Sequence, residues 1–145
     1  MYNWTDSPSV LSGRSLLLLD PHHSWSRDLG PPGGPVYDFV DDADQLEMAN
    51  QLMPFSGVLT EHDFRAPLDG TVIRLPLRTK EQALKSKICQ TSVGVEEVRD
   101  VLRGFAEGFS DGYGVFLKNV GEIGFWEDGR KVGGCRVVNE GEVKE

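Results

Sequence analysis

The stretch at residues 66–79, APLDGTVIRLPLRT, places a hydroxyl side chain where it could contact a ligand. Thr71 follows Gly70, and apolar residues recur at every second position from Ile73 to Leu77. Residues at this spacing share one face of a β-strand, which predicts that Thr71 lies at the rim of a core-facing apolar surface. From these residues alone, Thr71 either bonds a bound molecule or simply begins a strand after a turn, as threonines often do.

A second polar cluster, DPHHSW, begins at Asp20. Asp20, His22 and Ser24 have the side chains of a hydrolase triad, and His22 with His23 suggests a metal site. Adjacent histidines on an extended backbone point to opposite sides, and the next histidine is His62, so a shared metal is disfavoured. A hydrolase would also need an oxyanion-binding motif, which we do not find. We interpret the cluster as a strand that ends at a proline turn, and we predict no catalytic residue here.

Three further patterns fit loop or surface structure better than a binding site. The sequence GPPGGP at 30–35 lacks the lysine and the hydroxyl residue of a P-loop. The acidic stretch DFVDDAD at 38–44 does not have the spacing of a calcium loop. Cys89 and Cys135 lie far apart, with no second ligand near either. We therefore predict neither a disulfide nor a metal site.

Length, charge and hydropathy restrict the function classes. A chain of 145 residues can form one domain with its own core. A net charge of -8 and a pI near 4.9 disfavour a phosphate-backbone footprint, so we expect no nucleic-acid partner. The apolar run at 16–19 is too short to cross a membrane. We expect a soluble, cytoplasmic protein, since the cysteine usage fits a reducing compartment.

Periodicity and turn residues predict the elements that must position these side chains. Strands are predicted at 15–19, at 71–77 and from 112 onward, helices at 42–54 and 95–109, and a hairpin at Asp128-Gly129. This order predicts an α+β two-layer sandwich with helices on one face of a mixed β-sheet.

Several motifs together resemble sacsin and sacsin-like proteins, within their ATPase modules similar to heat shock protein 90. The motifs are VLSGRSLLLLDPHHSW, GTVIRLPLRT and VFLKNVGEI, in the family's order and approximate spacing. The opening YNWTDSPSVLSG is similar to the family's VYxxTDxPS segment, which follows the glycine-rich lid. The resemblance covers roughly residues 2–123.

The resemblance implies part of the Bergerat fold, the histidine-kinase-like ATPase sandwich in which nucleotide lies between sheet and helices. In that fold a strand-leading Gly-Thr pair contributes to the adenine pocket, which implies cofactor-binding roles for Gly70 and Thr71. The implied cofactor is ATP, bound only in a complete module, and the implied partners are protein clients or chaperones. Residues 1–126 would be the partial module, and 127–145 a hairpin strand and frayed tail.

The chain departs from the family pattern at its start. The family's general-base glutamate, magnesium-binding asparagine, adenine-binding aspartate and lid all precede the VYxxTD segment, and we do not find them here. The resemblance therefore implies a fragment that forms one wall of an ATP pocket and is inactive alone. We also expect exposed apolar area around Trp4, Leu16 and the helix at 95–109. The alternatives are a non-catalytic protein-interaction or regulatory module and, third, a hydrolase using Asp20, His22 and Ser24.

Overall fold

Four short strands form a sheet in the first part of the chain. They are β1 (Ser9–Gly13), β2 (Ser15–Leu18), β3 (Val36–Asp38) and β4 (Leu68–Arg74), in the spatial order β3-β2-β1-β4.

The computed structural model describes residues 2–23, 26, 33–41, 46–110 and 120–136, apart from the side chains of 46–48, 109, 110 and 135. The chain divides into two compact units, Met1–Val93 and Gly94–Glu145.

Antiparallel pairing follows from the short connection between β1 and β2. Ser12 pairs with Ser15, and Gly13 between them adopts the left-handed backbone conformation, with φ 55°. A two-residue connection can join only antiparallel strands, because a parallel pair needs a long crossover.

The predicted α+β fold class is confirmed. Each pairing among the described strands is antiparallel, whereas a mixed sheet was predicted.

The core of the first unit lies on one face of this sheet. Its buried side chains are Leu11, Leu16, Leu18, Phe39, Leu52 and Phe55. The last two come from the helix α1 (Leu46–Leu52) and the 3₁₀ turn Met53–Phe55 that follows it. Asp42, the predicted start of this helix, lies outside the described residues. The expectation that Leu16 would be exposed is wrong, since this side chain is fully buried.

The face of β4 that meets the core is the opposite of the predicted one. Leu11 pairs with Val72, and Val72 packs against the core, whereas Ile73 is 57% exposed. Side chains of directly paired residues share a face. Thr71, which alternates with Val72, therefore lies on the other face, away from the core. The predicted apolar face fails because pairing with β1, not the hydrophobic residues of β4 itself, determines which residues are buried.

A short helix that the sequence analysis missed follows β4. The helix α2 (Lys80–Lys85) begins at a capping box, in which the Thr79 hydroxyl accepts from the Gln82 amide and the Gln82 side chain accepts from the Thr79 amide. The pattern T-x-x-Q is a sequence signal for this structure.

The second unit consists of a helix and a hairpin. The helix α3 (Val95–Ser110) confirms the predicted helix, and the strands β5 (Glu122–Glu127) and β6 (Arg130–Arg136) confirm the predicted hairpin. Asp128 and Gly129 have φ of 49° and 76°, as a tight type I′ turn requires. The close approach of α3 to β6 uses Gly133, where a Cβ would lie 3.0 Å from the Ala106 side chain. The predicted strand at 112–119 and the tail lie outside the described residues.

Candidate functional site

The candidate site is the open face of the four-stranded sheet, which we define as the face opposite the core. Two rows of paired side chains cross all four strands on this face. The polar row runs Asp38, Ser15, Ser12, Thr71, and the apolar row runs Val36, Leu17, Val10, Ile73. Because each row consists of direct cross-strand partners, its side chains are neighbours on one surface.

Thr71, one of the two predicted site residues, makes a specific contact in the polar row. Its hydroxyl oxygen lies 2.7 Å from the Ser12 hydroxyl oxygen, on an exposed part of the sheet. The Ser12 hydroxyl also lies 3.4 Å from the carbonyl oxygen of Gly70, the other predicted site residue. Ser12 was not among the residues predicted from the sequence. The only signal in the sequence was the position of Ser12 beside the hairpin turn. This position does not indicate which strand pairs with β1 on the side away from β2.

Gly70 has a conformation that other residues rarely adopt. Its φ is 137°, in the region that favours glycine, and a Cβ there would meet no atom within 4 Å. The β1–β4 register shifts at this point, between Ser12 and Gly13. Gly70 therefore allows the irregular backbone that brings the Thr71 hydroxyl to Ser12.

The apolar row provides a flat, partly exposed hydrophobic surface beside these hydroxyls. Val36 and Ile73 at its two ends are more than half exposed, and Val10 and Leu17 between them are half-buried. A planar ring can pack on such a surface by its face while its edge bonds to neighbouring hydroxyl groups.

The polar row ends in an ion pair with little capacity for acid–base chemistry. Arg14 Nε donates to Asp38 Oδ2 at 2.9 Å, and the same guanidinium contacts Asp41 at 2.8 Å. The bond from Arg14 holds the pKa of the Asp38 carboxyl below its usual range. Asp38 Oδ1 accepts the backbone N–H of Val40 at 3.1 Å. Asp38 is therefore an ionised carboxylate with its charge compensated, which makes it a poor general base.

The polar residues of the DPHHSW cluster have different structural partners. The Asp20 side chain is buried and accepts the backbone N–H of Ser26 at 3.0 Å. His22 Nε2 instead lies 3.5 Å from Asp6 Oδ1 and 3.5 Å from the Ser86 hydroxyl. Ser24 lies outside the described residues. The Asp20 side chain therefore stabilises the loop that follows β2, as expected for a strand that ends at a proline turn.

His22 belongs to a group that we call the Arg78 cluster, formed by Asp6, His22, Arg78, Ser86 and Cys89. Arg78 Nη1 donates to Asp6 Oδ1 at 2.8 Å and to the Cys89 carbonyl oxygen at 2.8 Å. Its other nitrogen, Nη2, donates to the carbonyl oxygen of Tyr2 at 2.8 Å. The cluster connects the first residues of the chain to the loop after α2.

Ser86 in this cluster does not have the environment of a nucleophile. Its buried hydroxyl donates to Asp6 at 3.0 Å and accepts the backbone N–H groups of Ile88 and Cys89, each at 3.2 Å. A nucleophilic serine instead gives its proton to a base and faces the substrate. We therefore assign the Arg78 cluster a structural role.

Cys89 is a free thiol. The backbone N–H of Thr91 lowers its pKa below the usual range. The Cys135 side chain lies outside the described residues, so the predicted lack of a disulfide remains a prediction for that residue. Among the residues that the structure describes, no group of three His, Cys, Asp or Glu side chains is arranged to hold a metal ion. No described helix is long and apolar enough to cross a membrane.

Comparison with known proteins identifies relatives. A family model described as Sacsin domain matches residues 1–133 of this chain. Sacsin from Homo sapiens is 28% identical over 131 residues, which cover 87% of this chain and 3% of that protein. The chain thus spans a small fraction of the length of the curated relative that it matches. Both matches confirm the resemblance to sacsin.

Proposed function

This chain belongs to the Sacsin domain family, and we propose that it forms one wall of an ATP pocket in a chaperone-type ATPase module similar to heat shock protein 90. By itself it is expected to hydrolyse no ATP. Protein clients or chaperones as partners, and a cytoplasmic location, belong to the same proposal.

The observation that supports this proposal is the contact between Thr71 and Ser12 on the open face. The proposal requires that helices of the complete module cover this face, since α1 packs on the opposite one. The resemblance assigns Gly70 and Thr71 to the adenine pocket, and the Thr71 hydroxyl lies with Ser12 beside the exposed Ile73. Adenine needs an apolar surface for its ring face and hydrogen-bonding groups for its edge. The two rows of the open face offer both.

The free energy available from this wall alone is small. A neutral hydrogen bond contributes roughly 0.5–1.5 kcal/mol net. Even a millimolar dissociation constant requires about 4 kcal/mol. One hydroxyl pair and one exposed apolar row therefore should not hold ATP without the metal site and lid that complete such a pocket.

Calorimetry on two proteins tests the proposal. The 145-residue chain should show no saturable ATP binding, whereas a longer protein with the upstream family motifs should bind. In the longer protein, Thr71→Val should weaken ATP binding roughly tenfold, because it removes the hydroxyl and keeps the shape. Thr60→Val, at an exposed loop threonine of the same unit, is the matched control and should leave the affinity unchanged.

Two results would contradict the proposal. Micromolar ATP binding by the 145-residue chain would show that the chain contains a complete pocket. An unchanged affinity in the longer Thr71→Val protein would remove Thr71 from the pocket and leave it as a residue that begins a strand.

A second candidate function is a protein-interaction module, which the exposed apolar side chains of α3 favour. Val95 and Phe105 are more than half exposed, and Val101 and Leu102 are more than one third exposed.

An interaction module should suppress the aggregation of a thermally unfolded reporter enzyme, and Phe105→Ser should remove that effect. The ATP-pocket proposal predicts no effect of Phe105→Ser on nucleotide affinity, so the two functions are separable.

A further inference from the structure

A cleft of about 320 Å³ lies on the core side of the sheet, at the opposite face from Thr71. Its lining includes Ser9, Leu18, Leu19, Gln51, Arg74 and Pro76. Ser9 pairs directly with Leu18 on one side and with Arg74 on the other, so these three side chains share one face. The volume is at the lower end of the range for small-molecule sites.

The cleft contains a positive charge without a counter-ion. The guanidinium of Arg74 forms no ion pair or hydrogen bond with the residues that the structure describes, and no described lining residue is acidic. This is notable in a chain with a net charge of -8. A guanidinium beside apolar walls favours a carboxylate or phosphate, which it can bind through two parallel hydrogen bonds.

A buried hydroxyl group in the same lining also lacks a partner. Ser9 is 4% exposed, and its hydroxyl oxygen has no hydrogen-bond partner within the described part of the chain. Leaving a buried polar group unsatisfied costs free energy, because the group has lost its hydrogen bonds to water. Rotation of the Ser9 side chain toward the cleft would let this hydroxyl donate to a ligand oxygen and would remove this cost, which is a second reason to expect an acceptor group in the cleft.

The remaining lining determines the ligand class. Leu18, Leu19 and Pro76 form apolar walls, and Gln51 adds a neutral amide. We propose that this cleft binds a small aliphatic carboxylate, with its charged end at Arg74 and Ser9 and its carbon chain against Leu18 and Pro76. The carboxylate is either that of a free short-chain acid or that of a glutamate side chain from a protein partner. The site is independent of the ATP proposal because it lies on the other face of the sheet.

The test is an NMR titration of the ¹⁵N-labelled 145-residue chain with butyrate. Saturable shifts are expected at the amides of Ser9, Leu18 and Arg74. Butyramide, which has the same shape without the charge, should cause no such shifts. Arg74→Gln should weaken butyrate binding at least tenfold, since a charge-assisted bond is lost. The control Arg130→Gln removes an exposed arginine of the other unit and should leave binding unchanged.

The two sources of the carboxylate are distinguished by repeating the titration with N-acetylglutamic acid α-amide. Tighter binding of this compound than of butyrate indicates a glutamate side chain, and the reverse order indicates a free acid. Three results would overturn the proposal: no saturable shift with either acid at millimolar concentration, equal binding of butyramide, or unchanged butyrate affinity in Arg74→Gln. The spectrum of Arg74→Gln away from the cleft shows whether the fold is retained.

Discussion

The hydroxyl oxygens of Ser12 and Thr71 lie 2.7 Å apart across strands β1 and β4. If Thr71 donates to Ser12, Ser12 can donate to the Gly70 carbonyl oxygen at 3.4 Å. In the reverse arrangement, the Thr71 hydrogen is free to bond a ligand on the open face. The pair can therefore serve as acceptor or donor toward a bound molecule, depending on which of the two hydroxyls donates to the other.

The coupling between these two hydroxyls is the first prediction. In a double-mutant cycle of Ser12→Ala and Thr71→Val, we expect a coupling free energy of about 0.5–1 kcal/mol, because one exposed hydrogen bond is lost in either single variant. Urea unfolding of the four proteins measures it. Additive effects of the two substitutions would mean that the bond is not formed in solution.

The assignment of the two sheet faces makes a second prediction. Leu16→Ala should lower the free energy of unfolding by about 2–5 kcal/mol, because it leaves a cavity in the core. Ile73→Ala should cost less than about 1 kcal/mol in this chain, because the side chain is 57% exposed and little burial is lost. Chemical denaturation compares the two. A larger effect at Ile73 than at Leu16 would contradict the assigned register.

The Arg78 cluster makes a third prediction, about stability. Arg78→Gln should lower the free energy of unfolding by roughly 3–5 kcal/mol, because it leaves Asp6 and several carbonyl oxygens without their buried donor. The matched control is Arg103→Gln, which removes an exposed ion pair with Asp100 and should cost under about 1 kcal/mol. Similar midpoints for both variants in thermal unfolding would show that the cluster contributes little.

A fourth prediction concerns pH and the hairpin of the second unit. Lys131 and Arg136 both donate to Glu122, and these bonds lower the pKa of its carboxyl to about 2. A lowered pKa in the folded state means that the stabilisation is complete above the unfolded value of 4.5 and is lost as pH falls toward 2. Carboxyl ¹³C shifts of Glu122 should therefore titrate near pH 2.

Lys131→Gln provides the control for this titration. It removes the hydrogen bond that lowers the pKa of Glu122 most, so the Glu122 midpoint should move up toward its ordinary value. A midpoint near 4.5 in the unsubstituted protein would show that the bonds to Glu122 are not maintained in solution.

The sequence was sufficient for elements whose signals are local. The helix α3 follows from apolar residues at helical spacing with Glu96 and Glu97 in its first turn, and the β5–β6 hairpin follows from Asp128-Gly129. The family was also recognisable from the order of three motifs. The helix and the hairpin depend on hydrogen bonds, turns and side-chain contacts between residues close together in the chain.

Only the tertiary structure determined which side of β4 is buried and which residue meets Thr71. The alternation of β4 has two possible faces, and pairing with β1 selects the face of Val72 for the core, which leaves Thr71 beside Ser12. Asp6 and Arg78, 72 positions apart, are likewise joined only by the fold. Strand register and buried polar contacts depend on groups that are distant in sequence, and no pattern within either segment contains that information.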